Sequence, residues 1–342
     1  MQSSFRFLLA WLVVLAHLTE GVRYTSHTGI FAVFGFYLLS GYLITLILNT
    51  TYEFRFAPFA INRFLRLFPV YYIIAAATLI MIFLLPEAET WKPVWRIRGT
   101  LGAWLGNLFI FPFEFLDQRF RLVPPAWSVG VELINYFLLW LLISRSALFT
   151  ALGVAAGVGY HVWTFLTNPE WLARYDPFVA AILPFALGAA LFHARGYVER
   201  LSPVQAMLAA GAGGVFWVGN MIAAGIVDGR FADNFDLYFY LNLLFMIVIM
   251  VGFSHSSLNK RATGISKMLG DLAYPIFLLH WQVGFLVSQF VFDGKARGFD
   301  ILAVSIPFIL ILAFGVNWLA ARFIEPIRGK IRPGRAVSEN AG

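Results

Sequence analysis

Apolar residues fill most of the chain in long runs, and charged or proline-rich clusters punctuate them. A helix needs about 20 predominantly apolar residues to cross the hydrocarbon of a bilayer. Reading the runs between charged breaks predicts spans near 5–20, 29–49, 67–86, 127–144, 147–167, 178–193, 203–227, 236–253, 270–292 and 301–323. One further stretch, Leu101–Leu116, has only 16 residues and contains Asn107, Pro112 and Glu114, which suits a re-entrant or interfacial segment better than a span. The pattern predicts an all-α fold: a polytopic transmembrane helical bundle of about ten spans with one such short segment. It reads as one domain over residues 1–342, with a short cytoplasmic tail from about residue 325.

Composition strengthens the membrane reading. The chain is 60% hydrophobic and 13% charged, with 36 phenylalanines, and its mean hydropathy is +0.76. A soluble domain carries about 25% charged residues, roughly twice this share. Arg6 followed by an apolar run has the look of a signal peptide, but no A-x-A cleavage site follows, so a retained first span is expected. There are no cysteines, which excludes disulfides, thiolate metal sites and a thiol nucleophile. No metal site and no tightly bound cofactor is expected.

The net charge of +7 is spread through the loops, which argues for topology rather than nucleic-acid binding. Ten spans put both termini on one side, with 15 of the 25 Lys and Arg residues there and 10 opposite. The larger set includes Arg55, Arg145, Lys260, Arg261, Lys267 and the Arg322–Arg335 cluster. An eleventh span through Leu101–Leu116 gives the same division, so charge alone does not choose. The weak hydrophobicity of that stretch favours ten, with both termini cytoplasmic in a cell (inner) membrane.

Within this frame some polar residues stand out. Arg6 and His17 flank the apolar run FLLAWLVVLA. Eleven helical residues make about three turns and roughly 16 Å, so the two side chains share a face at different depths. An ionisable group at membrane depth is costly and suggests function; a snorkelling arginine and a bundle histidine are the structural alternative. Inside the second span, Gly35 to Thr45 reads GFYLLSGYLIT, a small-residue surface suited to tight helix contact, with Ser40 within it. Arg63 and Arg66 lie three apart just before the third span. Two guanidinium forks so placed can grip phosphate oxygens or anchor the helix at the positive-inside face.

Glu132 sits within an apolar helix, five residues after Trp127 and four after Ser128. A carboxylate there either orients a histidine or substrate hydroxyl, or pairs with a buried polar group. In LGDLAYPIFLLHW, Asp271 and Tyr274 lie a turn apart near the predicted start of a span, where Asp271 could cap the helix. His280 falls inside that span, as a bundle histidine or a functional one. His27, His161, His193 and His255 lie in or near predicted loops and read as structural.

In order along the chain these motifs resemble acyltransferase family 3, integral-membrane O-acyltransferases of polysaccharides and related acceptors. The resemblance rests on Arg6-x10-His17, Phe36-Tyr37-x-x-Ser40-Gly41 and Arg63-x-x-Arg66 with Pro69. It continues with Trp127-Ser128-x-x-x-Glu132, Leu269-Gly270-x-x-x-Tyr274-x-x-x-Leu278-x-His280 and Glu325-Pro326. Ala273 stands where the family often has Ser, and Tyr37 and Phe277 exchange Phe and Tyr with the usual pattern; both departures touch packing or one hydroxyl.

The resemblance implies an acyl-CoA co-substrate, usually acetyl-CoA, reached from the cytoplasm, and a carbohydrate or lipid-linked sugar acceptor. It also implies transfer either directly or through a separate extracytoplasmic partner, since no fused esterase-like domain is seen. On that basis His17 is the expected general base, with Glu132 positioning it or the acceptor. Arg6, Arg63 and Arg66 are the expected holders of the CoA phosphates, the rise from Arg6 to His17 matching an extended pantetheine arm. Direct transfer is expected ahead of an acyl-imidazole intermediate. Ser40, Trp127, Ser128, Asp271, Tyr274 and His280 are candidate substrate contacts or structural polar residues. A second reading, a proton-coupled transporter or lipid-linked sugar flippase using His17, Glu132 and Asp271, lacks the internal duplication usual in transporters.

Overall fold

Ten long helices run back and forth between two faces of a bundle. The computed structural model describes residues 2–331 apart from 20, 21, 23, 98, 111–118, 228–233 and 254–259, and the side chains of 260–262 lie outside that description. The helices are α1 (Gln2–Leu18), α2 (Thr28–Ile47, continued by a π turn to Tyr52), α3 (Phe56–Leu84), α4 (Glu87–Trp91), α5 (Leu101–Phe109), α6 (Ala126–Leu141) and α7 (Ala147–Thr167). Then come α8 (Phe178–His193), α9 (Arg195–Val198), α10 (Pro203–Ile226), α11 (Phe235–Gly252), α12 (Lys260–Val291), α13 (Phe299–Phe323) and α14 (Glu325–Ile331). Seven are long and apolar enough to cross a membrane, and α1, α6 and α8 are shorter apolar helices. The chain is thus an all-α multi-pass membrane protein.

The two ends of the route between α3 and α6 lie close together. Lys92, just past α3, lines the same cavity as His17 at the end of α1 and Pro125 and Trp127 at the start of α6. Lys92 and Pro125 therefore lie at the same face of the bundle. With nine residues and a reach of about 14 Å, α5 is too short to cross. The last described helix, α14, returns to the face where α1 begins: Arg328 there bonds Asn62 Oδ1 at 3.2 Å, near the start of α3.

Lipid and protein sides separate clearly. Helices α2 and α12 are about 72% buried, whereas α10 and α13 are 22% buried and turn Phe216, Ile311 and Trp318 outward. A helix apolar all round, such as α2, belongs inside. Its close partner is α8. A Cβ on Gly41 would lie 2.2 Å from the Phe185 carbonyl oxygen, and one on Gly188 would lie 2.2 Å from that of Leu38. The small-residue run in α2 thus serves backbone contact, as its composition suggested. Gly270 and Gly284 of α12 do the same for α1, against Ser3 and Leu18.

Three sequence expectations change. Helix α3 begins at Phe56, not near 67, so Arg63 and Arg66 lie two to three turns inside it. Helix α12 begins at Lys260, so Asp271 is mid-helix and caps nothing. His161 is buried within α7, bonding Tyr240 Oη and the Ala180 carbonyl at 2.9 Å each, rather than lying in or near a loop. For α3 and α12 hydropathy marked the membrane, whereas the helix extends through the polar residues beside it; His161 lies within the predicted 147–167 span itself. Pro112, Glu114, His255 and the tail beyond Ile331 lie outside the described residues, as do the side chains of Lys260 and Arg261.

Candidate active site

Among the described residues, one chamber lies in the bundle interior toward each face. The larger, of about 490 Å³, opens near the start of α1 and is lined by Arg6, Arg63, Arg66, Ser40, Glu132, Asp271 and Tyr274, among others. The smaller, of about 290 Å³, lies at the far end of α1 and is lined by His17, Trp127, Trp171, Tyr175, Asp176, Lys92 and Trp281. Val33, Ser128 and Phe277 border both. They form the wall or neck where the chambers meet.

The first chamber is a cationic cup. Arg6 comes from α1, and Arg63 and Arg66 come from one face of α3. Arg63 Nη2 donates to Asn62 Oδ1 at 3.3 Å, while its buried Nε has no hydrogen-bond partner among the described residues. None of the three arginines makes a salt bridge among the described residues. Asn62 is itself held from α14, since its Nδ2 donates to the Arg328 carbonyl at 3.4 Å and Arg328 also pairs with Glu325. The Glu325-Pro326 motif thus braces the residue beside Arg63 across 266 positions of chain.

Glu132 lies in this cup, not beside His17. Its Oε2 accepts from Tyr136 Oη at 2.7 Å and its Oε1 from Ser40 Oγ at 3.4 Å. The expected orientation of His17 by Glu132 is therefore not formed. Tyr274 Oη donates to the Leu67 carbonyl at 3.1 Å, tying α12 to α3 just past Arg66. Asp271 is exposed at the mouth. Pro275 lacks the N–H that would bond the Asp271 carbonyl, and Pro69 does likewise for Leu65.

Among the described residues, His17 pairs with His280. His17 Nδ1 and His280 Nε2 are 2.9 Å apart, and the rings meet edge to edge and nearly coplanar, centroids 5.1 Å apart with 14° between planes. The other ring nitrogen of His280, Nδ1, lies 3.3 Å from the Ile276 carbonyl one turn earlier in α12. His280 is fully buried, and Trp281 packs on the His17 ring at 5.0 Å. Lys92 Nζ sits 3.5 Å from the centre of the Trp281 ring, a cation–π contact. Trp127 meets Tyr175 edge-on at 5.4 Å, and Ser26, whose buried Oγ has no hydrogen-bond partner among the described residues, also lines the chamber.

The structure therefore brings Arg6, Arg63, Arg66, Ser40, Glu132, Asp271 and Tyr274 together at one end. It gathers His17, Trp127 and Ser128 at the other, with His280 behind His17. Tyr136 and Asn62 were passed over in the sequence. Tyr136 stands one helical turn after Glu132 and Asn62 opens the Arg63 motif, so local spacing could have flagged both. Trp171, Tyr175, Asp176 and Lys92 gave no signal, because they come from loops far apart in the chain.

A membrane bundle with a cationic cup and a histidine-bearing aromatic chamber on one axis has the parts of a group-transfer enzyme. The profile of acyltransferase family 3, described as an acyltransferase domain, matches residues 4–322. The chain belongs to this family and is a multi-pass membrane acyltransferase. No curated protein matches it significantly, and no solved structure does.

Proposed function

We propose that the protein is an acyl-CoA-dependent O-acyltransferase. It would move an acyl group, acetyl first among candidates, from a cytoplasmic donor to a carbohydrate hydroxyl at the other end of the bundle. One observation carries this reading: three arginines without salt bridges among the described residues and one histidine line abutting chambers that share Val33, Ser128 and Phe277. Guanidinium groups bind phosphates through charge-assisted bonds. A long donor held by its phosphates at Arg6, Arg63 and Arg66 can extend along α1 toward His17, about 16 Å further on.

The chemistry then needs one proton moved twice. The acceptor hydroxyl gives its proton to His17 as its oxygen attacks the thioester carbonyl. The C–S bond breaks, and the departing CoA sulfur takes that proton back from the imidazolium. An ester and free CoA result. The aromatic walls of the second chamber suit the acceptor, because indole and phenol rings offer apolar faces to the C–H faces of a sugar while Asp176 accepts from its hydroxyls. A surface polysaccharide or its lipid-linked precursor fits, with or without a separate extracytoplasmic protein completing transfer. The face carrying the arginine cup holds the larger share of Lys and Arg, which supports a cytoplasmic location for it and for both termini in a cell membrane.

The direct test gives [14C]acetyl-CoA to membrane vesicles containing the protein and follows label into base-labile carbohydrate ester. Label should leave CoA for the glycan fraction in a protein-dependent way. Because the chain has no cysteine, any thiol released by the purified protein comes from CoA. Vesicles that never transfer label from any acyl-CoA would overturn the reading.

A further inference from the structure

We infer that His280 is a positioning residue that fixes the tautomer of His17 through a neutral imidazole–imidazole relay. The inference rests on His17 being the base proposed above.

The geometry sets the order of protons. Only a protonated Nδ1 of His280 can bond the Ile276 carbonyl 3.3 Å away, because a carbonyl is an acceptor alone. A neutral imidazole carries a single N–H, so His280 Nε2 is then a lone-pair acceptor. The nitrogen 2.9 Å from it, His17 Nδ1, must supply the hydrogen. In neutral His17 that assignment leaves Nε2 as the basic nitrogen. One backbone carbonyl of α12 thereby dictates which nitrogen on α1 accepts a proton.

Burial explains why a histidine serves here. His280 is fully buried among Ile276, Phe277 and Trp281, where a carboxylate partner would bring an isolated charge to membrane depth. A neutral imidazole orients His17 without adding charge while His17 rests. When His17 becomes an imidazolium, its Nδ1–H bond to His280 becomes charge-assisted and therefore stronger. The partner thus acts more on the charged intermediate than on the resting site, which is the condition for lowering a barrier. The ring planes lie within 14° of each other with centroids 5.1 Å apart, an edge-to-edge arrangement that points the two bonding nitrogens at one another, and Gly284, packed on Leu18 one turn further along, holds α12 close to α1.

The test compares His280→Gln with His280→Met. The two side chains are close in length and shape, but only Gln offers an oxygen to accept from His17 Nδ1–H. Loss of the group that holds a catalytic histidine in its tautomer has cost up to about 10⁴ in kcat in a serine protease. His280→Met should therefore lower kcat for label transfer from acetyl-CoA by about 10²–10⁴, with the KM for acetyl-CoA and the melting temperature kept. His280→Gln should retain kcat to within about tenfold, the scale of one imperfect hydrogen bond. If the Met variant does not fold, His280→Asn replaces it: polar, but a carbon too short to reach His17, it should lose as Met does. Equal losses in Gln and Met, or losses that track melting temperature, overturn the relay in favour of packing. Near-native activity in both, with His17→Ala inactive, overturns the relay and leaves the base standing. An active His17→Ala sinks the underlying reading instead.

Discussion

The two chambers differ in what they are made of and in what holds them. The arginine cup is larger, charged, and built from side chains within a few turns of one face, on α1, α3, α6 and α12. The histidine chamber is smaller and aromatic, and it draws much of its wall from the connections after α3 and α7. The cup holds its three arginines without a salt bridge among the described residues, whereas the chamber keeps one histidine in a hydrogen-bonded pair. A cationic cup with few internal partners is suited to a ligand that brings its own negative charge. A histidine fixed by a neutral partner is suited to moving a proton. On the proposed reading, binding and chemistry are separated along one helix, and each should be open to damage alone.

The sharpest way to break that separation is His17→Ala. It should cut transfer by about 10²–10⁴ while CoA binding, measured by calorimetry on the same purified variant, stays at the wild-type value. Lost binding together with lost transfer would merge the two chambers into one site. Next in size, Arg63→Ala or Arg66→Ala should weaken CoA affinity by about 1.5–3 kcal/mol, roughly ten- to hundredfold. Unchanged affinity in both folded variants would make these arginines topology anchors.

A smaller effect sharpens the comparison from the other end. Trp127→Leu removes one aromatic wall of the histidine chamber and should raise the acceptor KM by about 0.5–1.5 kcal/mol, a few-fold to about tenfold, leaving the acetyl-CoA KM alone. A rise in the donor KM instead would place the donor, not the acceptor, against that wall. Smallest in its effect on activity is a topological check. In this cysteine-free chain, Thr50→Cys lies toward the cup face and Thr90→Cys toward the chamber face. An impermeant maleimide should label the second in intact cells and the first only after permeabilisation. Labelling of both from one side would contradict a ten-crossing bundle.

Much of this was legible in the chain. Ten apolar runs marked ten helices, because crossing hydrocarbon demands length and apolarity that few loops possess. The eleven-residue step from Arg6 to His17 placed them on one helix face at two depths, since helical periodicity is local arithmetic. Helix ends were less legible. Arg63 and Arg66 read as helix-surface neighbours just outside a span starting near residue 67, because charge interrupts hydropathy, yet α3 already begins at Phe56 and runs through them, since a helix satisfies its own backbone inside or outside the bilayer.

The partners of the candidate groups were not legible. The sequence determined the membrane class, the number of helices, the family motifs and the residue types able to grip phosphate or carry a proton. All of these follow from composition and from spacing within one helix. The tertiary structure alone decided that Glu132 faces the arginines with Ser40 and Tyr136, that Glu325 and Arg328 brace Asn62, and that His17 meets a histidine 263 residues away. Such pairings depend on which helices become neighbours and how each is rotated. Those choices are set by contacts such as Gly41 on Phe185 and Gly270 on Ser3, where the absence of a side chain lets two backbones meet. No periodicity within a single helix records which distant helix will take that place.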